Sequence, residues 1–176
     1  MTRASQADKT LLAASDGQEE EARQILTFRL GGTVCAVDVR HVREVLDFTK
    51  IAPIPSAPAN LIGIIDVRGT GVPVVDLKRK LRMIGGENET TSETRIVVLE
   101  IGPDTTRKVI AIVADAVHEV VEYDGETMEE PPQFGESWDA SFMHGLGRRE
   151  REFLTFLDID AVFCGDRHLL ADTLAA

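Results

Sequence analysis

The chain has 176 residues, 43% hydrophobic and 28% charged, enough for one folded body or two small lobes sharing a core. Its formal net charge of -11 repels phosphate backbones and anionic lipid, so nucleic acid and membrane surfaces are poor partners. No apolar run approaches the ~20 residues that span a bilayer, and no signal peptide opens the chain; both point to a cytoplasmic protein without direct membrane insertion.

Residues 1–23 are polar and charged, with Leu11 and Leu12 as their main apolar content. They read as a disordered tail, with a nascent helix around 18–24. Leu26, Phe28 and Leu30 then alternate with Thr27 and Arg29, the period of a half-buried strand. Gly31-Gly32 supplies a turn, and 34–39 returns as a second strand. A helical turn at 40–43 precedes a strand over 44–48. Pro53, Pro55 and Pro58 make the next stretch a rigid extended loop. Strands follow at 61–67 and 72–77 around Gly69 and Gly71, then a basic segment with Lys78, Arg79, Lys80 and Arg82.

Strands resume at 95–101 and 108–114. Val109 to Val113 is apolar throughout, as a strand buried on both faces would be. A short strand at 117–121 leads to an acidic loop over 122–139, read either as a solvated segment or as a docking surface for a basic partner. A closing hairpin at 142–146 and 153–157 precedes a helix from Asp158, with Asp158 as its N-cap, and a terminal helix is expected at 166–174. About ten short strands between Gly and Pro turns predict an all-β barrel or sandwich with minor helix. No strand–helix–strand alternation supports a parallel sheet.

Catalytic chemistry is not advertised. His41, His118, His144 and His168 show no metal-ligand spacing, and Cys35 and Cys164 read as free thiols. Nucleophile elbows and phosphate-binding glycine loops are missing, so no catalytic residue, metal or cofactor is assigned. Asp66, Asp76 and Asp115 stand at strand ends. Two of them could form an acid/base pair of a small β-barrel hydrolase, or each could accept local backbone hydrogen bonds. Glu44 opens a strand, and Arg68 before Gly69 presents a planar fork of donors on a tight turn.

From about Gln24 to Phe163 the chain resembles the CheW family in five collinear blocks. They are ILTFRLGGTVCAVDVRHVREVL, PIPSAPANLIGIIDVRGTGVPVVDL, VIAIVADAVHEVVE, PPQF and FMHGLGRREREFLTFLDIDAVF. The resemblance implies two intertwined SH3-like five-stranded β-barrels with a short C-terminal helix. The corresponding division is a tail (1–23), a CheW-like domain (24–164) and a C-terminal helix or tail (165–176). It implies a non-enzymatic adaptor that couples chemoreceptors to the histidine kinase CheA. Its partners would be the regulatory domain of CheA and the cytoplasmic tips of methyl-accepting chemoreceptors, with recruitment to membrane-bound receptor clusters. A scaffold of a non-chemotactic kinase pathway is the alternative circuit.

Carried over by position, Val42, Glu44, Arg68, Val117 and Val120 fall where family members contact receptor or kinase. Gly63 falls where close backbone approach matters for kinase binding. Asp66 and Gly69 flank Arg68; Asp66 replaces the usual Asn and would compete with Glu44 for Arg68. Ala111 replaces a common Gly. Val42, Val117 and Val120 would give an apolar groove between the lobes, with Glu44 and Arg68 at its rim.

Overall fold

The computed structural model describes residues 22–83, 89–123, 128–132 and 140–166. β1 (Arg23–Leu30) and β2 (Thr33–Asp38) form the first hairpin. Its turn needs Gly31, whose φ of 58° is left-handed and strained for residues with a Cβ. The expected nascent helix around 18–24 gives way to strand at Arg23, and 1–21 lie outside the described residues. Nor is β1 half-buried. It lies between two strands, and Thr27 is sealed as well, its hydroxyl donating to the Glu119 carbonyl at 3.1 Å.

Asp38 accepts the Arg40 N–H at 2.9 Å and starts a 3-10 turn at Val39–His41. The turn and β3 (Val42–Asp47) therefore begin earlier than the sequence suggests. The proline stretch is an extended loop, pinned where Ala52 pairs with Ile64 of β4 (Leu61–Val67). β5 (Thr70–Val75) follows, and Asp76 caps α1 (Leu77–Lys80). β6 (Arg95–Ile101) and β7 (Lys108–Ala114) form a second long hairpin. In β7, Ile110, Ala111 and Ile112 are fully buried, as its apolar run predicts.

β8 (Ala116–Tyr123) takes in Glu122, which the sequence reading had assigned to the acidic loop. Residues 124–127 and 133–139 of that loop lie outside the described residues. β9 (Met143–Arg149) and β10 (Glu152–Leu157) close the fold, and Asp158 caps α2 (Ile159–Phe163) by accepting the Ala161 N–H at 3.0 Å. The terminal helix expected at 166–174 falls almost wholly outside the described residues.

The ten strands make two five-stranded sheets. The first runs β8-β1-β2-β10-β9 and the second β3-β6-β7-β5-β4. Each sheet takes a hairpin from one half of the chain and three strands from the other, so the lobes are intertwined. Each contains one parallel pair, β2 with β10 and β5 with β7. Parallel pairing thus occurs without the strand–helix–strand signal, because the intervening chain includes strands rather than a dedicated crossover helix. Ala52–Ile64 and Glu129–Leu146 bridges bring the segments after β3 and β8 back to the far edge strands β4 and β9. That curls both sheets toward the SH3-like barrel form.

Three apolar clusters hold the fold. The largest joins Leu26, Phe28, Leu30 and Phe163 of the first sheet and its helix to Val75, Leu77, Val97 and Leu99 of the second. The others fill each sheet's own interior, around Ile65, Val74 and Ile96, and around Ile25, Leu154 and Phe156. Burying each such side chain contributes about 1.5–3 kcal/mol. The shared cluster therefore makes the two lobes one body.

Candidate partner-binding site

β3 and β8 are edge strands, one in each sheet, and both carry a bulge. The bulges decide which way their valines point. Opposed residues of an antiparallel pair share a face. Val42 and Val45 oppose Leu99 and Val97, which belong to the shared core. Val117 and Val120 oppose Phe28 and Leu26, which belong to it too. Without the bulges, residues three apart would face opposite ways. Val42 and Val117 pack directly on the shared core, while Val45 is 39% exposed and Val120 52% exposed. The seam between the sheets is thus edged by four valines, two of them exposed.

The bulges turn Glu44 the other way, into the second sheet's face with Leu46. Its side chain is 18% exposed, and Arg68 Nη2 reaches Oε2 at 3.2 Å. Arg68 sits at φ 55° beside Gly69 at φ 84° in the β4–β5 turn. Its side chain is 82% exposed, so most of its donors face solvent. A pair this open contributes at most about 1 kcal/mol to stability.

β8 repeats the arrangement. Val117-His118-Glu119-Val120-Val121 matches Val42-Arg43-Glu44-Val45-Leu46, and Glu119 Oε1 takes Arg149 Nη1 at 2.7 Å. Each edge strand is therefore tied by a Glu–Arg pair to the hairpin at the opposite edge of its own sheet, through the β4–β5 turn in one and the end of β9 in the other. The sequence reading missed Val45, Glu119 and Arg149. The repeated Val-x-Glu-Val was the available signal.

The structure also places Asp66, Gly63 and Ala111. Asp66 does not compete for Arg68, because its Oδ1 accepts the Gly69 N–H at 2.7 Å within the turn. Gly63 is buried, and a Cβ there would lie 2.1 Å from the Ala52 carbonyl oxygen, so its close approach is to this chain's own loop. Ala111 is fully buried in β7, opposite Val98 of β6.

The carboxylates proposed for hydrolysis are all engaged. Asp66 holds its turn, Asp76 accepts the Arg79 N–H at 3.1 Å, and Asp115 accepts from Lys78 and Gly31. A cleft of about 660 Å³ opens beside the first sheet, over Ile25, Ala36 and Phe156. His41 and His144 line it, facing Asp160 at 3.9 Å and Asp158 at 3.7 Å. Among the described residues no His, Cys, Asp or Glu cluster could hold a metal ion. Burial tends to raise the Asp38 pKa, but Arg40 beside it holds the carboxyl below its usual value. Burial pushes the Cys35 thiol up to about 12, and Cys164 is exposed; both are free.

Two curled sheets thus share an apolar seam, and Glu44, expected at its rim, is instead turned with its Arg68 partner to the second sheet's other face, an architecture of the protein-binding adaptor class. The CheW-like domain model matches residues 24–165. The chain is 28% identical over 141 residues to a "Chemotaxis protein CheW" of Rhizobium meliloti, covering 80% of this chain and 87% of that one. It is 32% identical over 136 residues to "Protein FrzA" of Myxococcus xanthus, covering 77% of this chain and 78% of that one. The scaffolding protein TtCheW from Thermoanaerobacter tengcongensis superposes with TM-score 0.69 at 28% identity, covering 81% of this chain and 92% of that one. The chain belongs to the CheW family. It is a chemotaxis coupling adaptor and not an enzyme. No described helix is long and apolar enough to cross a membrane.

Proposed function

We propose that the chain joins two partners through two different features: the regulatory domain of CheA through the Glu44–Arg68 pair, and the cytoplasmic tip of a chemoreceptor through the valine seam. The seam is the observation that carries the receptor half. Val42, Val45, Val117 and Val120 give a helical hairpin tip an apolar edge to lie on, and burying each valine contributes about 1.5–3 kcal/mol. Arg68 supports the kinase half. It is held by one contact to Glu44 and keeps the rest of its fork free for a carboxylate. The function is geometric: receptor and kinase are kept side by side, so the state of one biases the other. Such complexes would recruit the chain to membrane-bound receptor clusters.

Titration of the purified chain with a soluble receptor hairpin and with the kinase regulatory domain tests this. Val120→Glu is expected to weaken the receptor alone, and Arg68→Glu the kinase more than the receptor. Equal loss of both partners from either variant would refute the division of labour.

A further inference from the structure

The chain crosses between the sheets twice, from β2 to β3 and from β7 to β8. Asp115 is the second crossing. Its Oδ1 takes Lys78 Nζ of α1 at 2.8 Å, and its Oδ2 accepts the Gly31 N–H of the β1–β2 turn at 2.5 Å. Its own N–H donates to the Arg29 carbonyl at 2.9 Å. Lys78 is only 5% exposed, a buried cation in an acidic chain. One carboxylate thus ties the helix that follows β5 of the second sheet to the first hairpin of the first sheet, two residues before Val117.

The other crossing has a related but weaker joint. Asp160 occupies in α2 the place of Lys78 in α1, two residues after the capping Asp. It accepts the Gly102 N–H at 2.9 Å, and the crossing residue His41 stands 3.9 Å away. Asp160 is 53% exposed, where the Lys78 side chain is 7% exposed. Of the two joints, the one nearer the β8 valines has the buried partner, Lys78, and is charge-paired.

We propose that Lys78 and Asp115 are positioning residues for receptor docking: the ion pair around the buried Lys78 sets β8 against β3, and so aligns the valines contributed by the two sheets. The inference rests on the receptor half of the proposed function. The Glu44–Arg68 pair lies within the second sheet alone and does not depend on the joint.

The test compares Lys78→Met and Lys78→Arg. Methionine keeps the apolar stem, and Asp115 retains the Gly31 N–H and partial solvent access, so the variant is expected to fold. Lys78→Met should weaken the receptor hairpin about tenfold, change kinase-domain affinity less than about twofold, and be rescued by Lys78→Arg. Unchanged receptor affinity, or equal loss of both partners, would overturn the proposal. If Lys78→Met does not fold, Asp115→Asn, which keeps a carbonyl acceptor for Gly31, replaces it with the same expectations. Amide residual dipolar couplings read the joint without any partner. A relative orientation of the sheets that differs from wild type in the folded neutral variant is expected; an identical one overturns the positioning role. A wild-type chain that binds no receptor hairpin would refute the proposed function, while these couplings still decide the joint.

Discussion

Arg68 and Glu44 meet at 3.2 Å although their strands lie at opposite edges of one sheet. The contact exists because the sheet curls until its edges approach, and it leaves the guanidinium largely in solvent. Charge reversal, Arg68→Glu, should leave the circular dichroism unchanged and cost at most about 1 kcal/mol of stability. It should strongly weaken capture of the kinase regulatory domain. Pull-down with and without a compensating Glu44→Arg separates a repulsion within the pair from loss of a partner contact.

Gly63→Ala should act through stability. The new Cβ would collide with the Ala52 carbonyl, which is backbone and cannot turn away. The Ala52–Ile64 bridge that helps close the second sheet would open, with a cost of about 1–3 kcal/mol. Thermal unfolding reads this as a lowered Tm, and any loss of kinase binding should follow the unfolded fraction.

Asp66→Asn should be nearly silent in folding and binding, since the amide oxygen can still accept the Gly69 N–H. Asp66→Ala removes that acceptor and should cost about 0.5–1.5 kcal/mol. Chemical denaturation of both variants checks the pair.

Thiol chemistry offers a pH test. Burial raises the Cys35 pKa to about 12, so at about pH 8 it is a neutral, sealed thiol. Maleimide should label Cys164 in the native protein and reach Cys35 only on unfolding. The unfolded thiol ionises near its ordinary value of 9.0 and the folded one near 12, so this group's contribution to stability is present below about pH 9 and lost as pH rises toward 12. Replacing Cys35 with Ala should flatten that alkaline slope, measured by denaturant unfolding.

Much of the fold was legible because local patterns and global packing agree. The alternation of Leu26, Phe28 and Leu30, the apolar run of β7 and the glycines of the turns all named their strands. Parallel pairing was hidden, since intertwined halves place β10 beside β2 across more than a hundred residues of sequence. The site was half legible. Glu44 and Arg68 stood out as a strand-start acid and a turn-borne fork, whereas nothing in the local pattern singled out Val45. Only the bulge in the β3–β6 pairing turns it to the seam. The turn bond of Asp66 and the burial of Ala111 were hidden for another reason: likeness by position carries no burial or hydrogen bonding.

The most direct measurement of the central claim is a three-component sedimentation experiment with the purified chain, a receptor hairpin fragment and the kinase regulatory domain. A single ternary species is predicted, losing receptor alone with Val120→Glu and kinase with Arg68→Glu. Mutually exclusive binding of the two partners, or binding of neither, would contradict the account.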